Sequence, residues 1–190
     1  MFFFNFKQDE LQDYYLAYFD ILGYKSYFEN ESDPYDFLSV IQSAIEDMKK
    51  SVNNTLLLND VDVKFRAYSD NFLFYIKHEN NELGAMAALS FLTQQIQRRL
   101  LEKYSILIRG GITIGKFYVN EDFIFGKGLI DVYTLENKFA VYPRIILDNK
   151  NKKFSVAVLE TLERRGYISK DEDDFYYVQF FFDFSCRSSE

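Results

Sequence analysis

The sequence predicts an α/β fold, a ferredoxin-like split βαβ arrangement with a mainly antiparallel sheet and helices on one face. Three observations carry this expectation. Apolar residues recur with strand and helix periods in the order β-α-β-β-α-β, followed by additional α and β elements. The segment from Val61 alternates apolar and polar residues and then turns at Ser69-Asp70-Asn71 into a second apolar run, the pattern of a β-hairpin. Aromatic residues, 21 Phe and 15 Tyr in a chain of 190, supply enough apolar surface for one substantial core and argue against a disordered chain.

The elements follow in order. Tyr14 to Ile21 is a run of aromatic and aliphatic groups that reads as a buried strand, with Gly23 allowing a turn behind it and Asp20 as its sole carboxylate. Pro34 suits the first turn of a helix, and Phe37, Leu38, Ile41, Ala44, Ile45 and Met48 recur at helical spacing before Asn53 and Asn54, which are expected to mark a loop. Val61, Val63, Phe65 and Ala67 form one arm of the hairpin and Phe72 to Ile76 the other, with Asp70 in the turn between them. Leu83 to Tyr104 is an amphipathic helix with its basic residues gathered near the C-terminal end, where they complement the helix dipole.

Ser105 to Arg109 reads as a strand leading into Gly110-Gly111 and Gly115. Glycines inside a strand cost backbone entropy and packing, so the pair marks either a close approach by another segment or ligand, or a bulge. Gly126 and Gly128 precede a short helical pattern through Leu129, Val132, Tyr133, Glu136 and Ala140. A strand is expected near Arg144 to Leu147, a weak helix from Phe154 to Leu162, and a late strand from Phe175 to Phe182 beyond the acidic loop Asp171 to Asp174. No repeat, linker or low-complexity tract divides the chain, so residues 1–190 are read as a single domain.

Composition narrows the chemistry. Lys and Arg total 22 against 29 Asp and Glu, a formal net charge of −7, which disfavours a broad electrostatic grip on nucleic acid. The apolar start from Met1 to Lys7 is too short to span a membrane and has no cleavage pattern behind it, so cytoplasmic residence without membrane association is expected. A lone cysteine, Cys186, makes no intrachain disulfide, and with one histidine, His78, it builds no Cys/His zinc site. A metal in this chain is therefore a hard ion held by carboxylates. Asp20 at a strand end and Asp70 in the hairpin turn are the candidate ligands, because the first strand of a β-α-β-β order commonly lies beside the hairpin. The backbone carbonyl of Ile21 offers a further hard oxygen. Each aspartate also has an ordinary reading, as a solvated strand end and as a turn-stabilising residue.

Several segments together resemble the class III nucleotidyl cyclases. Tyr18-Phe19-Asp20-Ile21-Leu22-Gly23-Tyr24 is similar to the first metal-binding motif of that family, and Tyr68-Ser69-Asp70-Asn71 to the hairpin with the second metal aspartate. Arg109-Gly110-Gly111-Ile112 with Gly115 resembles the glycine-containing core strand. Phe125-Gly126 through Leu135-Glu136, then Ala140 and Pro143-Arg144-Ile145-Ile146, extends the ordered match over residues 14–148. Within the class, the chain resembles most the bacterial pyrimidine cyclases of the Pycsar antiphage system.

That resemblance implies conversion of UTP to 3′,5′-cyclic UMP and pyrophosphate, with cyclic CMP from CTP or non-catalytic nucleotide binding as alternatives. It implies Mn²⁺ or Mg²⁺ on Asp20, Ile21 and Asp70, a homodimer with sites between chains, and a separate effector that senses the product. Arg66, four residues before Asp70, stands where purine cyclases often carry a base-contacting Lys; it is read as a pyrimidine or phosphate contact or as a solvent-facing strand residue. The family's transition-state Asn and Arg are replaced by Ile130 and Thr134, which leaves Arg144 or Arg109 to supply positive charge. Glu136 either orders a contact beside the site or makes a helix-surface ion pair.

Overall fold

In the computed structural model, residues 11–25, 34–54 and 61–180 are described. The apolar start, Cys186, Phe181, Phe182 and the side chain of Met48 lie outside the described residues. Strand β1 (Gln12–Ile21) is followed by helix α1 (Pro34–Asn54), the hairpin β2 (Lys64–Tyr68) and β3 (Asn71–Lys77), and helix α2 (Glu82–Tyr104). Next come the long strand β4 (Ile108–Val119), the short β5 (Ile124–Phe125), helix α3 (Lys127–Phe139) and β6 (Ile145–Leu147). Helix α4 (Val156–Arg164), β7 (Ile168–Lys170) and β8 (Tyr176–Val178) complete the order.

The main sheet runs β2-β3-β1-β4-β6-β8-β7, with β5 paired to β4 outside this path. All pairings are antiparallel except β4 with β6. The expected α/β fold with a mainly antiparallel sheet is therefore present. β1 lies inside it between β3 and β4, and its residues 15 to 19 are buried on both faces, which explains the unbroken apolar run in the sequence.

Side-chain alternation along β1 separates two cores. Tyr15, Ala17, Phe19 and Ile21 pack with α1, α2 and α4 in the large cluster on one face. Leu16 and Tyr18 point the other way and meet Leu73, Tyr75, Phe117 and Val132 of α3. Helix α2 begins at Asn81, whose side chain accepts from the Gly84 N–H at 2.9 Å, and ends at Ser105 in the left-handed region, φ 55°. Its first-turn Glu82 accepts from the Ser155 N–H at 2.9 Å, tying the start of α2 to the start of α4.

Several boundaries differ from the sequence expectation. Asn53 and Asn54 continue α1 to its end instead of forming a loop, because propensity is a weak preference that context overrides. Val61 and Val63 lie ahead of β2, which begins at Lys64. Ser105 caps α2, so the following strand starts at Ile108 and runs on through the glycines to Val119. β5 and β7 are too short to leave a period in the sequence.

The glycine question is settled in favour of close approach. The β1–β4 register continues without a bulge from Gln12↔Phe117 to Ile21↔Ile108. A Cβ on Gly115 would stand 2.7 Å from the Gly128 Cα, and one on Gly111 would stand 2.7 Å from the Leu135 Cδ2. Helix α3 therefore sits against β4 at two positions without side chains, Gly111 and Gly115, with Gly128 inside its first turn. Gly115→Ala forces two backbones apart and should cost about 1–3 kcal/mol. Gly111→Ala meets only the end of a leucine and should cost less. Chemical denaturation of the two variants measures that order.

Candidate functional site

The site is a row of cross-strand neighbours at one end of the sheet. Asp20 on β1 lies opposite Asn71 on β3 and opposite Arg109 on β4, so the three residues share the face covered by α3. The two-residue turn Ser69-Asp70 places Asp70 at the head of the adjacent hairpin, with Ser69 in the left-handed region at φ 57°. The Ile21 N–H donates to the Asp70 carbonyl at 3.2 Å and ties that turn to the end of β1. Two aspartates far apart in sequence are thus held by the sheet itself.

Their side chains are oriented by neighbours. The Tyr18 hydroxyl donates to the Asn71 Oδ1, and the Asn71 Nδ2 donates to the Asp70 Oδ1 at 3.0 Å. The Arg109 Nε donates to the Asp20 Oδ1 at 3.3 Å. The same nitrogen lies 2.7 Å from the Glu136 Oε1 on α3. That shorter contact is an ion pair without a directed hydrogen bond, since the N–H points towards Asp20 and the Glu136 Oε1 has no donor among the described residues. Glu136 is only 2% exposed, so its role is not that of a surface ion pair.

Burial pushes the Asp20 carboxyl above the usual aspartate range; Arg109 pulls it back, while the charge of Asp70 adds to the rise. Glu136 is likewise pushed up, first by burial and then by the charge of Asp20, against the pull of Arg109. Burial alone would lower Arg109, but Asp20 and Glu136 outweigh it and hold the guanidinium charged. Two carboxylates, Asp20 and Glu136, thus share one cation.

An open groove of about 520 Å³ lies over this row and is lined by Tyr18, Asp20, Tyr68, Asn71, Arg109 and Tyr133, among others. Sequence reasoning did not single out its tyrosines, nor Asn137 on α3, although Tyr133 and Asn137 sit one helical turn apart beside Glu136. Tyr18 enters the sequence reading only within the strand pattern and the Tyr18–Tyr24 motif, with no role of its own. Its place two residues before Asp20, on the same face, was the available signal.

The remaining sequence candidates are placed elsewhere. The Arg66 guanidinium donates to the Asn120 carbonyl in the β4–β5 turn. Arg144 is buried and pairs with Asp171 and Asp173 of the acidic loop, with Tyr142 against its guanidinium. Neither arginine is among the residues lining the groove. Thr134 donates to the carbonyl of Ile130, so these two positions satisfy each other within α3. His78 stacks on Tyr15 at the far end of the hairpin.

Among the described residues, no three His, Cys, Asp or Glu side chains converge as a metal cluster. The donors that do gather, Asp20 and Asp70 with backbone oxygens nearby, are hard and mutually repelling. Such hard oxygen donors suit Mg²⁺ or Mn²⁺ better than a softer ion.

No protein-family model matches the chain, and no curated protein matches it. Solved structures do. The catalytic core of a rhodopsin-guanylyl cyclase with converted specificity, in complex with ATPαS, aligns with TM-score 0.57 and 11% identity over 89% of this chain and 96% of that one. An adenylate/guanylate cyclase/hydrolase from Silicibacter pomeroyi gives 0.53 and 16% over 89% and 98%. A class III adenylyl cyclase-like ATP-binding protein from Pseudomonas aeruginosa gives 0.53 and 10% over 93% of this chain and 42% of that one. The chain therefore has a class III nucleotidyl-cyclase-like fold. Among its described residues, no helix is long and apolar enough to cross a membrane.

The carboxylate cluster has a consequence for stability. A folded-state pKa raised above the unfolded value means that stability is lost as pH rises through it. In chelator at neutral pH, Glu136→Gln should therefore melt at a higher temperature than the parent protein. The difference should shrink as pH falls and Glu136 itself takes up a proton. Thermal melts of both proteins across pH 4 to 8 check the sign.

Proposed function

We propose that this chain is a metal-dependent pyrimidine nucleotide cyclase, converting UTP to 3′,5′-cyclic UMP and pyrophosphate in antiphage signalling. One observation carries the cyclase reading: on a class III cyclase-like fold, the Asp70 turn is tied to the end of the strand bearing Asp20, and Asp20 pairs with Arg109 where these two line an open groove. The pyrimidine assignment rests on the sequence resemblance and on Arg66, carried by the strand that leads into the Asp70 turn.

In the reaction the ribose 3′-oxygen attacks the α-phosphorus, the bond to the β-phosphate oxygen breaks, and pyrophosphate leaves with that electron pair. Bound Mn²⁺ or Mg²⁺ would lower the pKa of the 3′-hydroxyl and stabilise charge on the phosphates. Asp20, Asp70 and the Ile21 carbonyl would hold it. Tyr18 and Asn71 fix the orientation of Asp70, and Arg109 supplies positive charge for the phosphate chain. Tyr68 and Tyr133 offer ring faces to the substrate where they line the groove.

The site is assigned to a homodimer, with the product read by a separate cyclic-nucleotide effector. Large apolar side chains exposed on and around α3 support the dimer: Ile130 is 64% exposed, Phe125 62% and Tyr142 64%. Arg144 is kept in the proposal as a source of charge across such an interface, although within one chain Asp171 and Asp173 hold it.

A second reading, a nucleotide-binding regulatory protein without turnover, draws support from Ile130 and Thr134, which provide neither the amide nor the guanidinium of the family. The Pseudomonas aeruginosa structure is described as a cyclase-like ATP-binding protein, which adds to it.

Purified protein incubated with each ribonucleoside triphosphate and Mn²⁺, with products identified by mass spectrometry, separates these readings. Cyclic UMP is expected. Cyclic CMP would keep the mechanism and reject the base, while UTP binding without product would favour the regulatory reading. Asp20→Asn and Asp70→Asn should each lower turnover by about a hundredfold or more with the fold retained. Full activity in both folded variants would remove the aspartates from the mechanism. Arg66→Ala should change base preference or substrate affinity, and unchanged values would rule that contact out.

A further inference from the structure

We infer that Arg109 is the resident counter-ion of the carboxylate site, standing in for the divalent cation until it binds, and that Glu136 is the seat that keeps Arg109 in place afterwards. The inference rests on the reading of Asp20 and Asp70 as metal ligands. It concerns what balances the carboxylates and what metal entry must displace.

The geometry points to an exchange. Arg109 directs its Nε–H to Asp20 at 3.3 Å, on the carboxylate that the metal reading requires, while Glu136 lies closer at 2.7 Å without a directed bond. The guanidinium is thus shared between a ligand it must give up and a second carboxylate it can keep. Glu136 suits the second role because it is buried, sits on α3 where Leu135 is pressed against Gly111, and has an Oε1 free of hydrogen-bond donors among the described residues. Among the described residues no second cation pairs with Asp20, and its neighbour Asn71 is engaged with Tyr18 and Asp70.

Without Arg109, Asp20, Asp70 and Glu136 would repel one another, at a cost that partial burial enlarges. With Arg109 on Asp20, a cation entering meets both an occupied ligand and a like charge. Turning Arg109 fully to Glu136 frees Asp20 and leaves the other guanidinium N–H groups available to an anionic ligand. Arg109 is then a placeholder and Glu136 a positioning residue.

Mn²⁺ titration without nucleotide, followed by the electron paramagnetic resonance signal of the free ion, tests this. Arg109→Gln should bind Mn²⁺ more tightly than the parent protein, by roughly tenfold for removal of a like charge at this range. Arg109→Lys, which restores the charge, should return the affinity towards the parent value. Mn²⁺ should also raise the melting temperature of Arg109→Gln more than that of the parent, since tighter binding to the folded state stabilises it more.

A purely structural or phosphate-binding Arg109 predicts unchanged or weaker Mn²⁺ binding in Arg109→Gln, and that result overturns the inference. If Arg109→Gln does not fold, Glu136→Gln decides. It leaves Arg109 with Asp20 alone and should bind Mn²⁺ several-fold more weakly than the parent, so equal or tighter binding overturns the inference. Parent protein that binds Mn²⁺ while the variants miss these shifts defeats the placeholder alone. Parent protein that binds none defeats the metal reading, and the inference with it.

Discussion

The seating of α3 on Gly111 and Gly115 of β4 is the constraint from which the site follows. Gly111 and Gly115 remove the side chains that would hold the helix off the sheet, and Gly128 removes one from the helix. The closeness lets Leu135 cover Gly111 and carries Glu136 down to the Asn71–Asp20–Arg109 row. A helix one side chain higher would leave Arg109 with a single carboxylate partner and the groove without its wall of Tyr133 and Glu136. The same seat explains why a strand interrupted by glycines runs in unbroken register: the lost packing is regained from the helix.

The carboxylate cluster costs stability. Asp20 and Glu136 are held above their ordinary pKa ranges by burial and by neighbouring negative charge, and one guanidinium serves both. A fold selected for stability alone would replace such a cluster with apolar side chains of similar shape. Its position at the end of the central strands is the one that the proposed metal site requires. The second arginine near this end, Arg144, is treated differently. Its guanidinium is neutralised inside the chain by Asp171 and Asp173 and serves the packing of the acidic loop against β6.

Much of this was legible in the sequence, and the parts that were not share physical causes. Period alone identifies β1, the hairpin and the two long helices, because each buries a face of several turns or alternations. It misplaces their ends: Asn53 and Asn54 stay helical, and Ser105 caps a helix where a strand was expected. Two- and three-residue strands such as β5 and β7 leave no period at all; pairing partners supplied from elsewhere in the chain create them. The glycines announce that something unusual happens on β4, but a close approach and a bulge leave the same letters.

For the site, the sequence by itself determined which chemistry is available: hard carboxylate oxygens at Asp20 and Asp70, no thiol or imidazole cluster, and arginines at 66, 109 and 144 to meet anions. Those are properties of side chains and survive any arrangement of the backbone. Only the tertiary structure decided which arginine meets which carboxylate. Strand register sets Arg109 beside Asp20, whereas the acidic loop captures Arg144 and the β4–β5 turn captures Arg66. It also decided that Glu136 is part of the site and not of the helix surface, because burial depends on how closely α3 approaches the sheet, a distance set jointly by glycines on two elements.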